Sequence, residues 1–331
     1  MAKNNSNLHG AKKAKNDEFY TQLTDIENEL RHYKSHFNGK VVFCNCNDAL
    51  HSNFAKYFSL NFEVLGLKKL ICTAYKVDGE HGKVCVYEGD KNGNRVPDLD
   101  EWDCRLLEGD GGFASEECIE FLKEADIVVT NPPFSLFREY VALLMEYGKK
   151  FLIIGNMNAI TYKEIFPYIK DNELWLGVSR NGCGQMYFHI DDDAPQAKGQ
   201  IVVNGQRMQT IGSSAWFTNL DHAKRHEEID LYKRYTPEEF PKYDNYDAIE
   251  VSKVCEIPMD YDGVMGVPIT FLGKYCPTQF EIIGFWNTGT AGEVLGATYC
   301  EAVSAGKVIT WNGPTVNRQT KYFRILIKRV S

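Results

Sequence analysis

The chain has 331 residues, 44% of them hydrophobic and 25% charged, a balance typical of a globular protein and enough chain for two domains. The formal net charge of −8 weighs mildly against a polyanionic partner, and no apolar run approaches the roughly 18 residues needed to cross a bilayer. Residues Met1 to Lys15 are polar and basic without the apolar centre of a signal peptide, so the expected location is the cytoplasm, with no membrane partner.

Ten cysteines are scattered without a repeating metal spacing. Cys44-Asn45-Cys46 is the one close pair, and CxC is not the CxxC of zinc ribbons. The expectation is reduced thiols acting as small core residues, without disulfides. The charge is unevenly spread. Lys3, Lys12, Lys13 and Lys15 make a basic start, and Lys307, Arg318, Lys321, Arg324, Lys328 and Arg329 make a basic end. Acids gather in Asp191-Asp192-Asp193 and around Glu227, Glu228, Asp230, Glu238 and Glu239. Two basic ends on an acidic body are compatible with a phosphate backbone, and equally with solvated lysines.

In chain order, Ile26, Leu30, Tyr33 and Phe37 predict an amphipathic helix over 25–37, ended by Gly39. Lys40 to Cys44 reads as a buried strand, 51–62 as a helix with an aromatic stripe, and Lys69 to Thr73 as a second strand. Residues 83–96 predict a hairpin, Val84 to Tyr87 followed by an Asn92-Gly93 turn. Ser115 caps a helix from Glu116 to Lys123. A strand at 126–130, a helix at 136–147 and a strand at Phe151 to Ile154 follow. Alternating helices and near-continuous apolar strands imply an α/β fold with a doubly wound, mostly parallel sheet. Beyond residue 175 the pattern shortens to strands at 174–178, 185–190, 200–203 and 215–218. From about 223 onwards, punctuated by prolines, the chain reads as a separate, irregular α+β unit, giving domains 1–222 and 223–331.

Ligands of such sheets bind at the carboxyl ends of the strands. Asn45 to Asp48, Asn131 to Phe134 and Asn156 occupy those ends. In Thr130-Asn131-Pro132-Pro133-Phe134 the prolines fix φ and remove two backbone donors, and Pro132 biases Asn131 away from helix. The result is a stiff loop offering an amide, a carbonyl and an aromatic ring, suited to a flat nitrogenous ring with an exocyclic amine. Asp191-Asp192-Asp193 reads as a solvated loop, because consecutive carboxylates on an extended chain point apart, and no metal is expected.

Asp17-Glu18-Phe19-Tyr20-Thr21-Gln22, the strand ending Cys44-Asn45-Cys46-Asn47-Asp48, and Asn131-Pro132-Pro133-Phe134 occur in that order. Together they resemble the S-adenosylmethionine-dependent adenine-N6 DNA methyltransferases, closely those of the EcoRI type, over most of the chain. The order of parts resembles the arrangement called gamma. The resemblance implies a methyltransferase-type sheet followed by a target-recognition region, duplex DNA as substrate, base flipping, and a monomer, within a restriction-modification setting. It implies that Asn131, Pro132, Pro133 and Phe134 carry the reaction, with the Asn131 side-chain oxygen and Pro132 carbonyl as acceptors for the amine and Phe134 as the stacking face. Trp216-Phe217 offers a second wall to that pocket or simply core. Phe19, Tyr20 and Thr21 match the segment covering the methionine end of the cofactor, Asn45 and Asp48 the loop after the first strand, and Asp110 and Phe113 the adenine of the cofactor, with Asn131 also bordering it. The chain lacks the usual Gly-x-Gly turn after the first strand, and Ala49 replaces the proline expected after Asp48. Asp78 is the nearest acid after the second strand and a weak match to a ribose ligand. Asn312, Asn317, Arg318 and Gln319 suit base edges. Two alternatives stay open: a methyltransferase acting on RNA adenine or a protein glutamine, and a DNA-binding protein without catalysis.

Overall fold

The computed structural model describes residues 21–330 apart from 47, 78, 180–184, 191–198 and 288–295. Phe19, Tyr20, Asp78 and Asp191-Asp192-Asp193 lie outside the described residues. Two compact units divide the chain: residues 1–165 with 174–221, and residues 166–173 with 222–331.

The first unit is built on a ten-stranded sheet. Its strands are β1 (Val41–Cys44), β2 (Lys69–Ala74), β3 (Lys83–Tyr87), β4 (Trp102–Leu106), β5 (Ile127–Thr130), β6 (Lys150–Asn156), β7 (Trp175–Leu176), β8 (Gln185–His189), β9 (Gln200–Val203) and β10 (Gln206–Thr218). The order runs β4-β3-β2-β1-β5-β6-β10-β7, with β8 and β9 also pairing with β10. The four central strands β2-β1-β5-β6 are parallel, as the apolar runs imply. Both flanks are antiparallel.

Helices α1 (Leu23–Leu30), α2 (Asn53–Leu60), α3 (Glu116–Glu124) and α4 (Phe137–Glu146) cover the sheet. Alternate strand residues point to opposite faces. Val42, Cys44, Leu70, Cys72, Ile127, Val129, Leu152 and Ile154 join Ile26 and Leu30 of α1 and Phe54 and Phe58 of α2 in one core. On the other face Phe43 meets Phe121 of α3, and Phe217 meets Phe137 of α4 with ring centroids 5.0 Å apart. The sheet is thus covered on both sides, and each buried aromatic ring contributes about 2–3 kcal/mol of apolar burial. No described helix is long and apolar enough to cross a membrane.

Three local expectations are corrected. The predicted helix over 25–37 leaves α-geometry after Leu30, yet Tyr33 and Phe37 are still buried through a 3-10 turn at Lys34–His36. The partner of β3 is β4, not the chain just after Asn92-Gly93. Residues 90–98 instead form a loop held by side chains, with Asp90 accepting from Gly93 N and Arg95 N and Glu101 from Lys91 N and Asp98 N. Cys85 and Cys104, directly opposite on β3 and β4, form a disulfide rather than two thiols. Cross-strand register brings them together, and that register was hidden because β4 was not expected.

The second unit holds two four-stranded sheets: β11 (Ile249–Glu250), β12 (Met265–Val267), β18 (Arg324–Arg329) and β13 (Phe280–Trp286) in that order, and β15 (Lys307–Trp311), β14 (Cys300–Ser304), β17 (Gln319–Thr320) and β16 (Thr315–Val316). Among the described residues its α-helix is the single turn α5 (Phe166–Lys170), from the chain preceding β7. The expected α+β region is therefore β-rich. Pro237, Pro241, Pro258, Pro268 and Pro277 interrupt any long helix in the first half of this unit. At its centre Arg324 clasps Glu250 with two hydrogen bonds, Nη2 to Oε1 at 2.5 Å and Nε to Oε2 at 3.0 Å, and the Tyr243 hydroxyl donates to the same carboxylate.

Candidate active site

The site is fixed by where β1 and β5 end. From β1 the chain passes outward to β2, and later returns to place β5 on the opposite side of β1. The chain leaving β1 and the chain leaving β5 therefore turn to opposite sides at the carboxyl edge, the switch point where open α/β sheets hold ligands. The loop after β1 contains Asn45 and Asp48, and the loop after β5 contains Asn131 to Phe134.

β5 is a run of Ile127-Val128-Val129-Thr130, buried throughout, whose branched side chains favour the extended chain. Pro132 and Pro133 stop it because neither can donate to a ladder. Asn131, Pro132 and Phe134 are buried and Pro133 is half-buried. Leu136 N donates to Pro133 O at 3.0 Å, turning the chain into α4. The Thr130 hydroxyl donates to the Asn45 carbonyl, tying the end of β5 to the end of β1.

Asn45 is a junction. Its side-chain oxygen accepts from the Tyr140 hydroxyl on α4 at 2.5 Å. Tyr140 is fully buried, and burial, followed by the nearby Cys46, pushes its pKa well above the ordinary range, so it remains a donor. Tyr140 and the half-buried Phe113 form an edge-to-face pair at 5.0 Å and 81°. Asp110 accepts from Gly112 N through Oδ1 at 2.9 Å, and its backbone carbonyl accepts from Lys76 N just past β2. Tyr140 thus links Asn45 and Phe113 from behind the Asn131 loop. Sequence reasoning passed over it, since a tyrosine on an apolar helical stripe looks like core.

Cys46 takes φ +64, the left-handed conformation glycine favours. It occupies the turn where a Gly-x-Gly was missing, so the backbone makes the same bend with a side chain present. Asp48 accepts from Leu50 N at 2.9 Å and His51 N at 2.6 Å, and Ser52 caps α2 through Ala55 N. Asn53 Nδ2 donates to the Thr21 carbonyl at 2.7 Å, which brings the end of the Asp17–Gln22 segment to this loop. The Gln22 side chain donates to Tyr187 O on β8 at 2.8 Å.

Trp216 and Phe217 do not wall a pocket. Both are core residues on opposite faces of the sheet, Trp216 against Phe54 and Phe217 against Phe137. The ring beside Phe134 is Phe188 of β8, edge-on at 6.4 Å and 87°. Cys44 and Cys118 lie behind the loops, and burial raises both thiols above their ordinary range, which leaves them protonated and poor nucleophiles. Among the described residues no three His, Cys, Asp or Glu side chains could hold a metal ion.

In the second unit, Arg324 is withdrawn from the basic C-terminal set by its buried pair with Glu250. Arg318 pairs with Glu301 at 2.8 Å, and Asn312 is buried with its carbonyl accepting from Trp286 Nε1.

The chain matches the family model "Adenine-specific methyltransferase EcoRI" over residues 7–330. It is 46% identical to the Type II methyltransferase M.EcoRI of Escherichia coli, covering 99% of this chain and 98% of that protein. It is 39% identical to M.MgeORF184P of Mycoplasma genitalium over 96% of this chain and 97% of that one. M.MpnI of Mycoplasma pneumoniae is 43% identical over 82% and 83% of the two chains. No solved structure matches. With the order of its loops intact from end to end, the chain belongs to the EcoRI family of adenine-specific methyltransferases.

Proposed function

We propose that this enzyme transfers a methyl group from S-adenosylmethionine to the N6 amine of an adenine turned out of duplex DNA, as the modification half of a Type II restriction-modification pair. The observation that carries the reading is the Asn131-Pro132-Pro133-Phe134 loop standing beside Asn45 at the switch point, the two strand ends joined by the Thr130 hydroxyl.

The residues present fit the cofactor. Gly112 engages one oxygen of Asp110, leaving the other to accept from an exocyclic amine. Phe113 is half-buried and held in an edge-to-face pair with Tyr140, so part of its ring remains open to an adenine. The backbone bend at Cys46 lets main chain approach a ligand closely. Thr21, Asn45, Asp48, Asp110 and Phe113 would hold it. When bound, S-adenosylmethionine supplies a methyl group activated by its sulfonium.

The chain's own residues deal with the poor nucleophile. The lone pair of an adenine amine is delocalised into its ring. The Asn131 amide oxygen and the Pro132 carbonyl accept its two hydrogens, favour rehybridisation of the nitrogen, and stabilise the positive charge that develops on it. That is binding stronger in the transition state than in the ground state. The amine sheds its proton after attack, so no strong base is required. Phe134, paired edge-to-face with Phe188, stacks on the base. Turning the base out costs a few kcal/mol, which the enzyme must offset with contacts to the duplex.

The first unit would carry out methyl transfer and the second, with its exposed Lys307, Arg318 and Lys328, would read the target as part of a monomer acting in the cytoplasm. The test is to offer the purified protein labelled S-adenosylmethionine with duplex DNA, structured RNA or protein. Label in DNA adenine supports the reading; label confined to RNA or to glutamine contradicts it.

A further inference from the structure

Strand β10 continues beyond the parallel part of its sheet. Ser214 lies opposite Asn156, the last residue of β6, and the two strands are antiparallel. Residues before Ser214 therefore project past the carboxyl edge that carries Asn45 and Asn131. There β10 pairs with β8 on one side and β9 on the other. Asn204 and Gly205, with φ of +50 and +79, close β9 and β10 into a two-residue hairpin. The root of this ribbon touches the target loop, because Phe188, opposite Gln209, is the ring packed on Phe134.

The tip is unlike a solvated hairpin. Ile201, Val202 and Val203 are successive and exposed by 39%, 69% and 42%. Neighbouring residues of a strand point to opposite faces, so both faces of this edge strand are apolar, and Val202 is the most exposed of the three. Such an edge invites aggregation unless it serves a partner. The family indicates which partner: the ribbon starts beside the target loop of a chain that belongs to the adenine-specific DNA methyltransferases. Arg207, on the rung of Val202, is fixed by a 3.0 Å hydrogen bond to Gln200. An exposed apolar tip at that place suits the stacked rings inside a duplex.

Its length also fits. Three residue steps along β10 lead from the Phe188–Gln209 rung to the Val203–Gln206 rung, about 10 Å at the rise of a strand. The grooves of B-DNA are about 7.5 to 8.5 Å deep. A tip standing that far beyond the base-stacking ring reaches the helix interior.

We propose that Val202 and Val203 form an apolar wedge that enters the duplex and fills the gap left in the stack when the target adenine turns out. Apolar wedges inserted at a base step offset the unstacking they cause through added contacts. The inference rests on the DNA reading above. It is tested with the full-length protein carrying Val202→Ser and Val203→Ser, beside wild type and Asn131→Ala. The probe is a duplex bearing the methylated site found by sequencing, with 2-aminopurine at the target position in the fluorescence arm. The double variant should bind cofactor normally, give a smaller fluorescence rise, and methylate the matched duplex about tenfold or more slowly. A duplex abasic opposite the target, in which pairing no longer resists flipping, should restore it to within about threefold of wild type, but should not restore Asn131→Ala. Unchanged rate and fluorescence, or a loss that the abasic duplex fails to restore, overturns the wedge alone. Loss of a wild-type dimer with flipping intact also overturns it, since the tip would then cover a second copy. Wild-type protein that methylates no duplex overturns the DNA reading and the wedge with it.

Discussion

Asn131 and Tyr140 serve the site in different ways, and substitutions should separate them. Asn131 offers its oxygen to the reacting amine. Asn131→Ala should lower turnover by about 10²-fold or more while DNA affinity is held, measured by single-turnover methyl transfer and by gel shift. Tyr140 touches no substrate in the proposed reaction. It fixes Asn45 and Phe113, so Tyr140→Phe should leave the Asn45 oxygen buried without its donor, at about 1–3 kcal/mol. The expected signature is weaker cofactor affinity with kcat changed far less, read by titration calorimetry and steady-state kinetics. A fall in kcat at unchanged cofactor affinity would contradict the positioning role. Cys46 gives a third residue-scale outcome. Its φ of +64 disfavours a β-carbon, so Cys46→Gly should be neutral or stabilising by up to about 1 kcal/mol, and Cys46→Val destabilising, in chemical denaturation.

Among the elements, β11 and β18 depend on one buried ion pair. Arg324→Met leaves the Glu250 carboxylate in the core of the second unit with the Tyr243 hydroxyl as donor but no counter-charge, and should cost about 3–5 kcal/mol in a denaturation midpoint. Adding Glu250→Gln should recover part of that loss. The charge on Arg324 was legible in the sequence, but its burial was not, because the partner lies 74 residues away. The central strands were legible for the opposite reason. β1, β2, β5 and β6 are buried on both faces, and continuous apolar runs such as Val41 to Cys44 and Phe151 to Ile154 announce them. β4 escaped notice because Trp102-Asp103-Cys104-Arg105-Leu106 is largely exposed and charged, and with it went the register that unites Cys85 and Cys104. β10 was visible only at Ala215 to Thr218. Its outer half, beginning Gln206-Arg207, lacks the alternation of a half-buried strand, and that half carries the hairpin. At the site, the Asn131 loop and the loop after Cys44 were legible from proline and strand-end position, whereas the left-handed turn at Cys46 was not. Tyr140 and Phe188 were not, since contact between distant aromatic residues leaves no mark on local pattern.

For the whole molecule, a net charge of −8 means that any hold on DNA relies on local basic surface working against the mean field. Affinity for duplex should fall steeply and linearly with log salt, the slope counting the phosphates neutralised, in a series of binding isotherms. A flat response would mean that exposed cations such as Lys307, Arg318 and Lys328 do not contact the backbone. The central claim, that this site methylates adenine in DNA, is met most directly by sequencing DNA from cells expressing the protein with detection of N6-methyladenine. The expected result is N6-methyladenine at one short recurrent sequence with the wild-type chain and none with Asn131→Ala. DNA without N6-methyladenine from cells making the folded wild-type protein, or the same mark with Asn131→Ala, would contradict it.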